Sequence, residues 1–304
     1  MLVGVLCGTE PVYESREAST GQSEDELVEL LVREVEQARE ARPGVEAIGL
    51  GVPATIDHER GVAIAAVNLP LTEVPLRDLV SQRTGLPVFV DNDATVAAYA
   101  EYLFGAGRGK PHMVMLTVGT GIGGGLILGG ELYRGSTGAG AELGHTVIQE
   151  DGPPCQGSCP NRGCVEVLAS GTALGKEGRA AAERAPDSAL GKLLAEGSEV
   201  DGRAVTAAAQ AGDEVAIGVL DLIGGRLGVA CSTFANVFQP DAIVVGGGVI
   251  AAGDLLLDPA RRVLRERALT PMNRTPILEA TLGNEAGMIG AAAMARNEVA
   301  KAAA

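Results

Sequence analysis

The alternation of apolar and polar positions predicts a series of strands and helices along the chain. Residues 2–7 and 12–19 are expected to form two strands joined by a turn, and apolar residues recur at helical spacing from 23 to 41. Ser23 followed three residues later by Glu26 is the signature of a helix-capping box. The first part of the chain therefore predicts a strand hairpin followed by a capped helix.

The same patterning predicts further elements in an order typical of an α/β protein. Strands are expected at 45–51, 62–67, 87–90, 113–118, 125–129, 242–246 and 276–280. Helices are expected at 75–84 and 94–104, through the Ala-rich region 166–237, directly after residue 248 and at 287–302. Hairpins mixed with strand–helix units predict mixed sheets that are covered by helices.

The composition excludes several classes of protein. Lys and Arg total 24 against 39 Asp and Glu, a formal charge of −15, which argues against a nucleic-acid partner because phosphate backbones are bound by clustered cations. Hydrophobic residues make up 46% of the 304 positions, enough for one large domain or two smaller ones. No run of about 18 apolar residues and no secretion signal is recognised, so we expect a cytoplasmic protein without a membrane partner.

Three cysteines and one histidine form the most specific pattern in the sequence. His145, Cys155, Cys159 and Cys164 are spaced closely, with Gly and Pro between them that allow the loop to turn back. Three thiolates and one imidazole complete the tetrahedral shell of zinc without an open position, which predicts a structural zinc site. The alternative is a set of buried or paired cysteines beside an unrelated histidine, although a cytoplasmic setting disfavours disulfides.

Two glycine-rich segments have the composition of phosphate-binding turns. Residues 117–125 read TVGTGIGGG between two predicted strands. A dinucleotide-binding loop must be followed by a helix, whereas this segment continues into a strand. Backbone N–H groups and hydroxyls of such a turn can still hold a phosphate, and the alternative is an ordinary hairpin. Gly246, Gly247 and Gly248 join a buried strand to a helix start, where phosphate binding and close packing explain the glycines equally well.

Polar residues at a strand end and near the cysteines are candidates for a substrate site. Asn92 and Asp93 follow a predicted strand, where α/β proteins bind ligands, and a carboxylate there can accept a proton from a hydroxyl. From these two residues alone, a helix N-cap is the preferred interpretation. Glu142 and Glu166 flank the cysteine loop and suit the recognition of sugar hydroxyls, although exposed loop glutamates would give the same pattern.

Together these segments resemble the ROK family of sugar kinases and repressors, in its bacterial glucokinase branch. The most specific matches are AELGH at 141–145 and CQGSCPNRGCVE at 155–166, with supporting matches at 51–53, 68–70, 91–94, 117–125 and 246–249. The chain departs from the family in having three residues instead of one between the first two cysteines. It also has Ala54 where the family has a glycine.

The resemblance implies an actin-like (ribonuclease H-like) sugar kinase fold with two lobes that close on sugar and ATP. The small lobe is expected at 1–92 plus 288–304 and the large lobe at 93–287. The implied reaction is ATP-dependent phosphorylation of a hexose at the 6-hydroxyl, with glucose as the first candidate and fructose, allose and N-acetylmannosamine as others. Implied ligands are ATP, Mg²⁺ and a structural Zn²⁺, in a homodimer or homotetramer.

The resemblance also implies roles for individual residues. Asp93 corresponds to the catalytic base. Sugar hydroxyls are expected to contact Asn68, Asn92, Glu142, His145 and Glu166, and ATP is expected to contact Thr117, Gly119, Thr120, Gly121, Gly246, Gly247 and Gly248. Zinc is expected on His145, Cys155, Cys159 and Cys164, so that His145 binds zinc through one ring nitrogen and the sugar through the other.

Two other functions stay open at this point. A ROK repressor would sense a sugar through the same pocket, but the charge of −15 and the lone predicted helix at 23–41 are unfavourable to DNA binding. A protein that binds sugar and zinc but has lost catalysis is the second alternative.

The first strand is where the chain departs most from the family, whose members begin with an acidic strand and a Gly-Gly-Thr-Lys phosphate turn. Residues 2–9 are either a degenerate form of that strand, with Cys7-Gly8-Thr9 as the remnant of the turn, or residues 2–7 correspond to the second strand of the family. We prefer the second interpretation because residues 12–20 fit the third strand and directly precede the helix. It predicts that Met1 is an internal start and that about 10–20 residues precede it.

Overall fold

The computed structural model of the protein describes residues 1–8, 10–17, 23–66, 68–157 and 159–303. The predictions made for Thr9, for residues 18–20 and for residue 67 lie outside this part of the chain. The elements follow in the order β1 (Leu2–Cys7), β2 (Glu10–Arg16), α1 (Glu24–Ala41), β3 (Ile48–Val52), β4 (Ala54–Asp57), β5 (Val62–Ala66), β6 (Thr72–Val74), α2 (Leu76–Thr84), β7 (Val88–Asn92), α3 (Asp93–Phe104), β8 (Met113–Val118), β9 (Ile122–Leu128), β10 (Glu131–Tyr133), α4 (Val165–Ala169), α5 (Gly171–Arg184), α6 (Ala189–Ala195), α7 (Gly202–Gln210), α8 (Glu214–Phe238), β11 (Ala242–Gly246), α9 (Asp254–Arg267), β12 (Ile277–Glu279) and α10 (Ala286–Ala302).

Most predicted elements are found, and the differences are local. The capping box is confirmed, since Glu26 N–H donates to Ser23 Oγ at 3.3 Å and Ser23 N–H donates to Glu26 Oε2 at 2.8 Å. The short strands β4, β6 and β10 were not predicted, because three or four residues are too few to establish a two-residue period. The helix expected directly after residue 248 is instead a 3-10 turn at Gly248–Ala252, followed by α9.

The chain forms two compact units. The first unit comprises Met1–Gly109, Gly125–Ala141 and Leu282–Ala304, and the second comprises Lys110–Gly124 and Glu142–Thr281. The lobes expected at 1–92 plus 288–304 and at 93–287 therefore differ from these units, chiefly in the position of α3. The reason is direct helix packing, because a Cβ on Gly290 of α10 would collide with the carbonyl group of Val96 in α3.

In the first unit, two parallel strands position the polar residues that follow them. β3 pairs with β7 in parallel, with Ile48 opposite Val88 and Val52 opposite Asn92. β1 pairs with β2, and β4, β5 and β6 form a separate antiparallel sheet. Helices α1 and α2 contribute Leu27, Leu76 and other buried side chains to the core beneath these strands. Asn92 thus lies at the carboxyl end of a strand and directly before α3, as predicted.

In the second unit, three parallel strands carry the glycine-rich segments. β11 lies between β8 and β12 and pairs in parallel with both, so that Gly246 is opposite Thr117 at the carboxyl ends of β11 and β8. Helices α8 and α9 pack closely, because a Cβ on Gly228 would collide with the carbonyl oxygen of Ala260. Parallel strands with helical connections are the pattern expected for this part of an α/β protein.

Helix α8 is unusually apolar. Among the described residues, it is long and apolar enough to cross a membrane by length and composition, although Asp221 and Arg226 interrupt its apolar sequence. Of the most apolar segment of this helix, 56% is buried inside the protein. Such burial is typical of the central helix of a folded core.

Candidate functional site

The predicted zinc ligands converge in the second unit. His145 Nδ1 or Nε2 and the three sulfur atoms of Cys155, Cys159 and Cys164 all lie within 4.8 Å of one another. Cys155 Sγ is 3.4 Å from His145 Nδ1, and Cys159 Sγ is 4.0 Å from Cys164 Sγ. Ligand sulfurs on a tetrahedral zinc ion lie about 3.8 Å apart, and a disulfide would need about 2 Å. The donor types and their spacing therefore fit zinc and not a disulfide.

The loop that carries these ligands is closed by backbone hydrogen bonds. Val165 N–H donates to the Thr146 carbonyl at 2.9 Å, which brings the residue after His145 beside the residue after Cys164. Gly163, with φ +63°, lies against the carbonyl oxygen of Gln149 so closely that a Cβ would collide with it. This turn requires glycine for both reasons.

The thiols of the cluster are held in a setting that favours the neutral form in the absence of a cation. Burial, with the neighbouring thiols as the next cause, raises the pKa of the Cys155 thiol to about 12. Burial also raises the pKa of Cys164. A bound divalent cation reverses this preference, because metal-ligating cysteines are thiolates.

Glu166 links the cysteine loop to the predicted phosphate turn. It lies in α4, two residues after Cys164, and its Oε2 accepts a hydrogen bond of 2.8 Å from the N–H of Ile122, where β9 begins. A Cβ on Gly121 would collide with the same carboxylate oxygen. Glu166 is predicted to bind sugar hydroxyls, and one of its carboxylate oxygens thus already accepts a hydrogen bond from the backbone of the glycine-rich turn.

The N-terminus of α5 supports the glycine-rich turn, a role that sequence reasoning missed. Gly171 N–H donates to the Gly119 carbonyl at 2.7 Å, and Thr172 Oγ1 donates to the Thr120 carbonyl at 2.8 Å. Ser170 caps the helix through Ala173 N–H. A serine before a helical run is a readable capping signal, but its position beside a turn about 50 residues away is a tertiary feature.

The two glycine-rich segments meet at one end of the second unit. Gly247 has φ +90°, and a Cβ there would overlap the backbone of Val118, where β8 ends. This edge, at the carboxyl ends of parallel strands, is where α/β proteins bind ligands. It carries the residues expected to contact ATP: Thr117, Gly119, Thr120, Gly121, Gly246, Gly247 and Gly248. The 3-10 turn that follows has five residues, so the expected α-helix start with its dipole is wrong at this point.

Substitution of Gly247 tests whether this edge of the sheet binds ATP. We expect Gly247→Ala to lower the free energy of unfolding by about 1–3 kcal/mol, since a non-glycine residue is strained at positive φ, and to weaken ATP binding. Gly218→Ala in α8 is the control, because a Cβ there meets nothing within 4 Å and Gly218 lies outside the segments expected to contact ATP. Thermal unfolding and ATP calorimetry of both variants provide the measurement. Equal stability and equal ATP affinity of the two variants would contradict the assignment.

In the first unit, Asn92 is the N-cap of α3 and Asp93 is the first residue of that helix. Asn92 Oδ1 accepts hydrogen bonds from Ala94 N–H at 2.9 Å and Thr95 N–H at 3.1 Å, and Asn92 Nδ2 donates to the Ala54 carbonyl at 3.2 Å. The helix cap is therefore Asn92. Asp93, the first residue of α3, is not needed as the cap of this helix and is exposed to solvent.

The surroundings of Asp93 alter its acidity. Its Oδ1 accepts a hydrogen bond of 2.8 Å from Ala94 N–H, which favours the carboxylate. Although Asp93 is in contact with solvent, neighbouring protein atoms partly desolvate its carboxyl group. This desolvation is the largest influence and raises the pKa of Asp93 above its ordinary value of 3.8. A carboxyl with a raised pKa is a better proton acceptor when it is ionised.

A buried ion pair beneath Asp93 was not predicted. Asp91 is fully buried, and its Oδ2 lies 2.6 Å from Arg134 Nε, while its Oδ1 accepts Asn92 N–H at 2.9 Å. His58 Nδ1 lies 3.7 Å from the same carboxylate and 3.2 Å from the Val90 carbonyl. These contacts hold the strand end before Asp93, and no local signal in the sequence links Arg134 to Asp91.

The other predicted sugar ligands lie at exposed or half-buried positions of their own units. Asn68 is exposed in the bend after β5 in the first unit. In the second unit, Glu142 is exposed directly before the 3-10 turn Leu143–His145, and His145 is half-buried. His145 is thus both a member of the cysteine cluster and close in sequence to an exposed carboxylate.

Comparisons with known proteins agree on one family. The profile of the ROK family matches residues 7–298. The glucokinase of Streptomyces coelicolor is 36% identical over 299 residues, which cover 96% of this chain and 93% of that enzyme. The xylose repressor of Caldicellulosiruptor bescii is 32% identical over 253 residues, 80% of this chain and 60% of the repressor.

A solved structure gives the same result for the fold. The crystal structure of a ROK family glucokinase from Streptomyces griseus, in complex with glucose and AMPPNP, superimposes with a TM-score of 0.85 at 37% identity, covering 97% of this chain and 95% of that one. The predicted actin-like α/β fold with mixed sheets is therefore confirmed. The chain belongs to the ROK family.

Proposed function

We propose that the protein is a glucokinase that transfers the γ-phosphoryl group of ATP to the 6-hydroxyl of glucose. The observation that carries the proposal is the similarity, over 97% of the chain, to a glucokinase whose structure contains glucose and an ATP analogue. We further propose that it acts in the cytoplasm as a homodimer or homotetramer.

In the proposed chemical step, Asp93 acts as the base and the glycine-rich segments bind phosphate. Asp93 accepts the proton of the 6-hydroxyl as that oxygen bonds to the γ-phosphorus, and the bond from this phosphorus to the ADP oxygen breaks. Backbone N–H groups of the segments 117–121 and 246–248 hold the phosphates. Mg²⁺ bound with ATP would neutralise phosphate charge, and the positioning of the reactants would supply most of the remaining rate.

Sugar binding in this proposal depends on Asn68, Asn92, Glu142, His145 and Glu166, which are polar residues suited to hydroxyl groups. A structural zinc ion would be held by the imidazole of His145 and by the three cysteine sulfurs, and it would supply a rigid anchor for the loop. Ligation through Nδ1 would leave Nε2 of His145 for a sugar hydroxyl. Zinc content would then affect sugar affinity without any part in the phosphoryl transfer.

The pH dependence tests the role of Asp93. The base must be ionised, and burial raises the pKa of Asp93 above 3.8, so activity is lost as the pH falls through this raised value. We expect the acidic limb of kcat/KM for glucose to lie above the ordinary aspartate value. The same protonation does not destabilise the fold, because a raised pKa means that the folded state prefers the neutral acid. Circular dichroism at each pH separates the two effects, and full kcat/KM down to the ordinary aspartate range would contradict the assignment.

A coupled assay tests the reaction itself. Formation of ADP would be followed with Mg²⁺ and ATP in the presence of glucose, fructose, allose, N-acetylmannosamine or xylose. We expect glucose to give the highest kcat/KM. Folded protein that binds glucose but forms no glucose 6-phosphate would refute the kinase and favour a sugar-binding protein without catalysis.

A sugar-sensing regulator is the second candidate, supported by the 32% identity to a xylose repressor over 80% of this chain. A regulator would bind its sugar as a kinase does, so sugar binding alone does not separate the two candidate functions. Xylose binding in the absence of any phosphorylation, measured by calorimetry and by the coupled assay, would favour the regulator.

A further inference from the structure

The turn between β8 and β9 is hydrogen-bonded to the first residues of α5 through two consecutive carbonyl groups. Gly171 N–H donates to the Gly119 carbonyl at 2.7 Å, and Thr172 Oγ1 donates to the Thr120 carbonyl at 2.8 Å. Both carbonyl groups therefore point toward the same helix. One of the two donors is a side-chain hydroxyl, which a substitution can remove without altering the backbone.

The start of α5 is held in place by its own contacts. The buried Ser170 caps the helix, since its Oγ accepts a hydrogen bond of 3.3 Å from Ala173 N–H. A Cβ on Gly171 would lie 2.7 Å from the carbonyl oxygen of Gly119 and 3.2 Å from Val249 Cγ2, directly after the second glycine-rich segment. The start of α5 thus lies against both glycine-rich segments, and its position is set by packing.

The geometry of the peptide bond determines where the N–H groups of the turn point. Neither peptide of the turn is cis, so the carbonyl oxygen of one residue and the N–H of the next point to opposite sides. Because the carbonyls of Gly119 and Thr120 face α5, the N–H groups of Thr120 and Gly121 face away from it. Within the part of the chain that the structure describes, these two N–H groups donate to no other protein group. Successive N–H groups arranged in this way form a concavity that binds anions.

We propose that Thr172 is a positioning residue of the phosphate-binding turn, whose hydroxyl holds the peptide between Thr120 and Gly121 so that the Gly121 N–H is presented to a phosphate of ATP. Gly171 N–H orients the preceding peptide, and with it the Thr120 N–H, in the same way. The inference rests on the proposed function, since it requires that this turn binds phosphate. Thr172 acts through the turn and is assigned no contact with the nucleotide.

A side-chain donor is needed here because the turn is rich in glycine. Glycine adopts positive and negative φ about equally well, so the peptide before Gly121 can turn over at little cost. The Thr120 carbonyl oxygen would then point to the phosphate side and repel the anion. The hydrogen bond from Thr172 therefore determines whether the turn offers a donor or an acceptor at this position.

Thr172→Val tests the proposal, because valine keeps the shape of threonine without its hydroxyl and the exposed position of Thr172 tolerates the change. We expect the Kd of AMPPNP to rise about 3–10-fold, as for the loss of one neutral hydrogen bond, while the affinities for adenosine and glucose stay the same. Thr172→Ser keeps the hydroxyl and should restore AMPPNP binding. Thr233→Val is the matched control, since Thr233 is exposed on α8 and its Oγ1 donates to the Val229 carbonyl at 3.2 Å. Calorimetry with each ligand gives the affinities.

Amide resonances provide a readout that a general role in stability would not move. Addition of AMPPNP to the wild-type protein should shift the N–H resonances of Thr120 and Gly121, and Thr172→Val should reduce the shift of Gly121. Wild-type resonances that do not respond to AMPPNP would overturn the proposal. So would equal AMPPNP affinity of Thr172→Val and the Thr233→Val control, or an equal loss of adenosine affinity in Thr172→Val. Protein that shows these shifts but forms no glucose 6-phosphate would refute the proposed reaction and leave this inference standing.

Discussion

Replacement of Asp93 by asparagine is expected to lower kcat for glucose phosphorylation by about 10²–10⁴-fold, the contribution typical of a positioned general base. Asparagine has the size and shape of aspartate and can still accept the hydrogen bond from Ala94 N–H, but it cannot take the proton of the 6-hydroxyl. The affinity for glucose should therefore change little. Steady-state kinetics and calorimetry with glucose measure the two quantities separately.

Asp78→Asn is the matched control for the loss of a carboxylate. Asp78 lies in the first turn of α2, in the same unit, and is exposed. Like Asp93→Asn, the substitution Asp78→Asn removes a negative charge from the N-terminus of a helix. Each substitution should change the free energy of unfolding by less than about 1 kcal/mol. An Asp93→Asn enzyme that keeps a kcat close to that of the control would remove Asp93 as the base.

Replacement of Cys159 by serine is expected to remove zinc and to weaken glucose binding together, the latter by about 10–100-fold. A serine hydroxyl does not replace a thiolate as a zinc ligand at neutral pH, and three remaining donors bind zinc far more weakly. The loop would then lose the anchor that orients His145. Zinc content by mass spectrometry and glucose affinity by calorimetry give the two readouts.

Cys7→Ser is the control for this change, since Cys7 is an exposed thiol on β1, outside the cluster and in the other unit. It should leave both zinc content and glucose affinity unaltered. Unchanged glucose affinity in zinc-free Cys159→Ser protein would break the proposed link between metal and sugar, even if the cluster binds zinc as expected.

The cluster of possible metal ligands could be predicted from the sequence because its chemistry is local. His145, Cys155, Cys159 and Cys164 lie close together along the chain, and their donor atoms are those that suit zinc. The capping box at Ser23 and Glu26 was predictable for the same reason, since both partners are three residues apart and their hydrogen bonds form within one helical turn.

The contacts of Asp93 and Glu166 show where such reasoning ends. The sequence left open which residue caps α3, and the hydrogen bonds from Ala94 N–H and Thr95 N–H to Asn92 Oδ1 assign the cap to Asn92. Likewise, Glu166 was expected near sugar hydroxyls, but its bond to the N–H of Ile122 joins residues 44 positions apart. Neither the hydrophobic periodicity of the sequence nor the spacing of its residues indicates that Glu166 contacts Ile122.

Local sequence therefore determines the elements, the caps and the donor set of the cysteine loop, since these depend on residues within a few turns of one another. Packing determines which distant segments become neighbours: Gly247 beside Val118, Arg134 beside Asp91, and Glu166 beside Ile122. Such contacts are selected by the burial and hydrogen bonding of the whole unit, because any one of them is too weak to specify itself against the many alternatives open to an unfolded chain.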